Sequence, residues 1–217
     1  FCGDLSRTSM DIVGKKAASC SSMLVRAPKT FSPPGGKTRL SLKGKIQERN
    51  ACLVLEVLKY LRGRHDFSMR KALHGFSRTL WPGRFQLLPD GSILDGAHNP
   101  QAVSILLETA EEHFPGEKYS VIFGCLSDKD SRNVLRILDR KAREFIFVPI
   151  KGSRKSLTPE ELAAKCAEFS RRPVRLAASV KEALSIPHKK RFLITGSLYL
   201  AGQVLTEYFN EDRIINI

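Results

Sequence analysis

Apolar residues recur along this chain at two different spacings, and the spacing changes near the middle. Residues 47–61 carry apolar positions at helical intervals, with Ala51, Leu55 and Leu58 on one broad stripe, and residues 68–76 repeat the pattern more briefly, ending near Thr79. Between residues 38 and 43 apolar and polar residues alternate, which predicts a strand broken by Gly44. Beyond Trp81 short apolar runs and helical segments take turns. Strands are expected at 92–95, 119–124, 144–149, 174–178 and 192–195, and helices at 101–113, 132–143, 180–185 and 198–209. Another helix opens at Ser156, with Thr158 as cap, Pro159 in the first helical position, and Glu160 and Glu161 at the positive end of the helix dipole. Regular strand–helix alternation implies an α/β fold: a Rossmann-like, mostly parallel sheet covered on both faces. The Gly-x-Gly-x-x-Gly fingerprint is absent, so no dinucleotide is implied.

Residues 1–38 are less legible. A short apolar run at 22–26 reads as a strand, and the Pro- and Gly-rich text at 31–37 as a turn. Trp81-Pro82 stops the helical text, because the residue before proline avoids the helical region. A domain boundary is therefore expected there, with 1–80 a truncated α/β unit and 81–217 a complete one.

Charge bears on which partners are plausible. The 217 residues carry a formal net charge of +14. Residues 1–80 hold 16 Lys/Arg and 5 Asp/Glu, or +11, which leaves +3 for the rest. A basic segment admits a nucleic-acid-binding module, but no such module or aromatic stacking pattern is present, and a polyanionic substrate explains the bias as well. The 42% hydrophobic and 27% charged content is that of a soluble globular chain. No apolar run approaches the roughly 18–20 residues of a membrane helix, so no membrane partner is expected. The five cysteines share no metal-ligand spacing and suit a reducing cytoplasm. The chain opens Phe1-Cys2-Gly3, without Met or signal pattern, and reads as part of something longer.

The chemistry concentrates in Trp81-Pro-Gly-Arg-Phe-Gln-Leu-Leu-Pro-Asp-Gly-Ser-Ile-Leu-Asp-Gly-Ala-His-Asn-Pro100. A proline–glycine corner bearing an arginine is followed by a tight turn and by a short strand that delivers Asp95, His98 and Asn99 into the loop before a helix. Strand ends of α/β sheets open onto the ligand crevice. Asn99 can cap that helix with Pro100 in its first position. Read singly, Asp95 is an ordinary turn residue and His98 a surface residue; read together, the string builds a site.

The Trp-Pro-Gly-Arg corner and the Leu-Asp-Gly-Ala-His-Asn-Pro loop resemble the folylpolyglutamate synthase / dihydrofolate synthase family, the folate branch of the Mur-type ATP-dependent amide ligases. Gly124-Cys-Leu-Ser-Asp-Lys-Asp130 and Ile194-Thr-Gly-Ser-Leu198 are also similar to that family. The resemblance runs from about Leu40 to Phe209. It implies that 1–80 is the tail of a central ATP-binding domain and 81–217 a Mur-type C-terminal domain. It further implies an enzyme that activates a carboxylate as an acyl phosphate and joins L-glutamate to folate, or to dihydropteroate, working as a monomer with ATP and Mg²⁺.

By the same resemblance Asn50, Arg84 and Asp95 serve ATP: Asn50 at the adenine, Arg84 at phosphate oxygens, and Asp95 at ribose hydroxyls or bracing the arm that carries Arg84. His98, Asp128 and Ser197 would lie by the glutamate substrate, and His98 and Lys129 would act in catalysis. Read from the residues alone, Asp128-Lys129-Asp130 is equally an N-cap cluster on the following helix, and Thr195-Gly-Ser197 either a strand-to-helix turn or a set of donors for an anion at a helix N-terminus. Family members carry Gly-x-His-Gln-x-x-Asn-Ala where this chain has Gly44-Lys-Ile-Gln-Glu-Arg-Asn-Ala51, so Ile46 replaces the histidine. Gly36-Lys37-Thr38 ends as a phosphate loop does, but Phe31 stands where the upstream glycine is required. The phosphate loop and the metal ligands are thus expected in a missing N-terminal part, no metal ligand is assigned here, and this chain alone is expected to be inactive. The readings left standing beside it are a basic nucleic-acid-binding module, a non-catalytic α/β binding domain, or another Mur-type ligase.

Overall fold

A computed structural model describes residues 1–36, 38–152, 155–188 and 191–209. The chain divides into two compact units, Phe1–Leu80 and Trp81–Ile217.

The first unit holds helices α1 (Arg7–Ser19), α2 (Lys45–Arg62) and α3 (Met69–Phe76). Its small core joins Leu55 of α2 to Met69 and Leu73 of α3, with Phe31, Leu58, Phe67 and Phe76 packed around them. The strand expected at 38–43 does not form. Ser41 instead donates its backbone N–H to Phe76 O at 3.0 Å, tying the segment to the end of α3. An alternating pattern becomes a strand only where a neighbour supplies a ladder, and in this unit the extended pairing among the described residues is one parallel bridge, Cys2 with Arg26. That bridge is also all that remains of the strand expected at 22–26. Lys37, in the middle of the loop-like Gly-Lys-Thr string, lies outside the described residues.

The second unit runs β1 (Gln86–Leu87), β2 (Ile93–Leu94), α4 (Pro100–His113), β3 (Tyr119–Phe123), α5 (Ser131–Asp139), β4 (Ala142–Phe147), α6 (Pro159–Ala167), β5 (Val174–Leu176), α7 (Val180–Ser185), β6 (Phe192–Thr195) and α8 (Leu198–Tyr208). Strand order in its sheet is β1-β2-β6-β3-β4-β5. All neighbours are parallel except β1, which pairs antiparallel to β2. The helix expected over 132–143 stops at Asp139. Ala142 pairs with Tyr119 and enters β4, so the neighbouring strand claims residues whose local pattern fits a helix equally well.

Successive strand residues face opposite ways, and the core divides accordingly. Ile93, Val121, Phe123, Phe145, Phe147 and Leu193 pack with α4, α5 and α6. Leu94, Ile122, Ile146, Phe192 and Ile194 pack with α7 and α8. The steps β2→β3→β4→β5 move one way across the sheet and put their helices on one face. The return to β6, between β2 and β3, puts α7 on the other, as one handedness of crossover requires. Adjacent strands β2, β6 and β3 therefore send their following helices to alternate faces, which opens a crevice beyond their carboxyl ends.

Candidate active site at the carboxyl edge of the sheet

The loop after β2 is stitched to the end of β6. Asp95 donates its N–H to Ile194 O (3.0 Å), Gly196 donates to Ala97 O (2.8 Å), and the Thr195 hydroxyl donates to the same oxygen (3.0 Å). Glycines let the strand ends approach this closely. A methyl on Gly124 would stand 2.8 Å from Val148 O, and one on Gly196 2.4 Å from Gly124 O; one on Gly96 would stand 2.3 Å from Leu198 Cδ2.

The Trp-Pro-Gly-Arg corner is fastened to this edge. Gly83 (φ +68°) and Phe85 (φ +44°) flank Arg84 in the left-handed region, where a bulky residue such as Phe is an outlier. Three bonds hold that geometry: Gly96 N–H to Gly83 O (2.9 Å), Phe85 N–H to Asp95 Oδ2 (2.8 Å) and Gly83 N–H to Gln86 Oε1 (2.9 Å). The Phe85 ring is buried in the core while Arg84 is exposed. Behind the corner, the β1–β2 turn is anchored by Arg191, which donates to Gly91 O (2.8 Å), and by the Tyr208 hydroxyl, which donates to Asp90 Oδ2 (2.7 Å).

Asp95 is the electrostatic centre of the edge. Burial pushes its carboxyl above the ordinary value, against the opposing pull of the Phe85 and Ala97 N–H groups and of the neighbouring Arg84 and His98 side chains. Its second oxygen, Oδ1, accepts from Ala97 N at 2.8 Å, so each oxygen takes one backbone N–H. Three residues on, His98 Nδ1 lies 2.9 Å from Gly96 O. A carbonyl oxygen only accepts, so Nδ1 carries the proton, and in the neutral ring Nε2 is left as an acceptor. Cys125, beside Gly124, is no candidate nucleophile: burial pushes its thiol up to about 12.

The other residues singled out from the sequence divide between these loops and elsewhere. Ser197, 4% exposed, caps α8 by accepting from Tyr199 N (3.0 Å), and Asn99 caps α4 by accepting from Ala102 N (2.8 Å). Asp130 caps α5, with Oδ1 accepting from Asn133 N at 3.3 Å. Lys129 pairs with Asp128 at 3.2 Å on the loop after β3. Arg84, Asp95, His98, Asp128, Lys129 and Ser197 therefore occupy loops at one edge of one sheet. Asn50 belongs to the first unit, exposed on α2, where its amide donates to Gln47 Oε1 (3.1 Å). Among the described residues no three His, Cys, Asp or Glu side chains are grouped to hold a metal, and no helix is long and apolar enough to cross a membrane.

Residues 83–198 match the family described as Mur ligase, glutamate ligase domain. The chain belongs to the Mur ligase family. The matched span opens at the Gly83 corner and closes just after Ser197, so this Mur ligase domain is bounded by the loops that form the edge. Among its relatives, "Dihydrofolate synthase/folylpolyglutamate synthase" of Bacillus subtilis is 30% identical over 178 residues, covering 76% of this chain and 40% of the relative. "Folylpolyglutamate synthase" of Lacticaseibacillus casei is 27% identical over 230 residues, covering 93% and 52%. The solved structure of Mycobacterium tuberculosis folylpolyglutamate synthase complexed with ADP superposes with a TM-score of 0.84 at 21% identity, covering 96% of this chain and 54% of that one. The Mur ligase chain thus spans about half the length of the relatives it matches. The sequence motif assigns no role to Gln86, whose side-chain oxygen holds the Gly83 amide, while the Thr195 hydroxyl donates to Ala97 O within the strand-to-helix turn. For Gln86 the available signal was an amide three residues after the glycine of a Pro-Gly corner.

Proposed function

We propose that this chain is part of an ATP-dependent ligase that adds L-glutamate to a folate or to dihydropteroate. A substrate carboxylate oxygen attacks the γ-phosphorus of ATP and ADP leaves. The glutamate amine then attacks the acyl carbon, inorganic phosphate departs, and the amine loses a proton. The observation that carries this reading is the clasped corner: an exposed guanidinium on a turn that a buried carboxylate and a glutamine both brace. Family membership and the names of the relatives support the same chemistry.

In this reading Arg84 supplies charge-assisted contacts to phosphate oxygens. Both oxygens of Asp95 already serve backbone N–H groups, which favours the brace for Arg84 over a ribose contact. His98, with Nε2 free to accept, steers or deprotonates the incoming amine. Ser197 and Asp128 line the glutamate side. Lys129 attracts a substrate carboxylate, its charge partly offset by Asp128. Asn50 reads the adenine. A divalent ion such as Mg²⁺ neutralises phosphate charge in reactions of this class. The described residues form no cluster fit to hold one, so none of these roles is routed through it. Five free cysteines, four of them buried, suit a cytoplasmic setting.

A pair of variants in the intact ligase tests the map. R84A removes a donor aimed at charge that moves during phosphoryl transfer, and it should lower kcat by on the order of 10²–10³-fold with little change in the glutamate KM. H98A should instead raise the glutamate KM. Unchanged turnover in R84A, with only the glutamate requirement raised, would overturn the assignment.

A further inference from the structure

The turn that carries Arg84 is held by a residue with no chemistry of its own. Gly83 and Phe85, on either side of the arginine, both have positive φ, at +68° and +44°. For phenylalanine that conformation costs on the order of 1–3 kcal/mol and persists only where its surroundings over-determine it. Phe85 is secured by its buried ring and by Asp95. On the other side, the Gly83 N–H points at Gln86 Oε1, 2.9 Å away. Gln86 can reach back because it opens β1, where pairing with Leu94 fixes its backbone. A methyl on Gly83 would meet Ala201 Cβ at 3.2 Å, so the turn is also backed by α8.

The geometry points to Gln86 as a positioning residue for Arg84. Its side-chain oxygen holds the Gly83 amide so that the turn projects the guanidinium toward the sheet edge, while its role toward substrate is indirect. The inference rests on the proposed role of Arg84. It adds that turnover depends on an acceptor at residue 86 even though that residue touches neither nucleotide nor amino acid.

A double-mutant cycle in the intact ligase separates positioning from general structural support. Q86M keeps side-chain length and removes the acceptor. It should lower kcat by up to about 10²-fold, the scale of a small misplacement of a reacting group, and leave the glutamate KM in place. In the R84A background the same substitution should cost nothing further. On this chain itself, Gly83 amide exchange should be slow in the parent and in Q86E, which keeps an acceptor, and fast in Q86M. Unchanged kcat in Q86M would overturn the inference, as would an equal loss in both backgrounds or a Gly83 amide that stays protected in Q86M. If R84A itself turned over normally, the reading of Arg84 would fall and Gln86 would have nothing to position.

Discussion

Two glycines six residues apart should respond to the same substitution with opposite signs. Gly196, at the end of β6, has φ +115°, a conformation that costs a residue with a side chain on the order of 1–3 kcal/mol. A methyl there would also stand 2.4 Å from Gly124 O and 2.6 and 2.8 Å from the Phe123 ring carbons Cε2 and Cδ2. The first is backbone and the second belongs to a fully buried side chain, so neither yields without moving the sheet edge. Overpacking of this kind costs about 1–3 kcal/mol, so Gly196→Ala should destabilise the second unit by about 2–6 kcal/mol. Gly202, inside α8, has nothing within 4 Å of its added methyl. There the same change should stabilise by up to about 1 kcal/mol, through helix propensity. Because the chain has two compact units, a single optical transition would mix them. Amide exchange of Val121 and Ile194, buried in β3 and β6, reads the second unit alone. A Gly196→Ala cost below about 1 kcal/mol, or a shared sign for the two variants, would refute the close-approach argument.

Two further predictions concern carboxylates with opposite shifts. Burial pushes Asp90 upward, but bonds from Ser92 N, Tyr208 Oη and Ser92 Oγ outweigh it and leave the group below its ordinary value. Its contribution is therefore present above the unfolded value of about 3.9 and is lost as pH falls through the folded one. Tyr208→Phe should cost about 0.5–1.5 kcal/mol near neutrality and progressively less in acid, measured by urea unfolding followed at the Val121 and Ile194 amides across pH; a cost that does not shrink would contradict the assignment. Asp95 runs the other way. Burial raises its carboxyl, so the stability it contributes is present below the unfolded value and lost as pH rises through the raised one. Asp95→Asn should abolish that loss. It should also leave Phe85 N or Ala97 N facing an amide donor, at about 1–3 kcal/mol; a variant with the parent's pH profile of amide exchange would count against it.

The central strands were legible because they are buried on both faces, so Tyr119-Ser-Val-Ile-Phe123 and Phe192-Leu-Ile-Thr195 read as continuous apolar runs. The same reasoning explains what was missed. Helix α1 fully buries none of its residues, and its apolar stripe is only the half-buried Met10, Val13 and Ala17 set among polar residues, too thin to be read. Strand β1 is two residues long with Leu87 exposed, and it exists because β2 pairs with it. The 38–43 alternation is sound locally but finds no pairing strand among the described residues, and no local pattern can announce one.

The motif residues were legible as a set, but their individual jobs were not, because a letter in a sequence does not say which of its atoms is already committed. In Gly96-Ala-His-Asn-Pro100 the glycine admits Leu198, the Ala97 carbonyl accepts from Gly196 N and from Thr195 Oγ1, Asn99 caps α4, and the proline starts it. Asp95, just before, gives one oxygen to each of two backbone amides. Four of the five loop residues, with the aspartate ahead of them, therefore build the edge. His98 differs, since its bond to Gly96 O occupies Nδ1 and leaves Nε2 available as an acceptor in the neutral ring. Substitutions at Asp95 and Asn99 should consequently register in stability as well as in activity. His98→Ala, by contrast, gives up one local bond, Nδ1 to Gly96 O, together with the Nε2 acceptor, so it is the change in this loop whose effect should fall mainly on the chemistry.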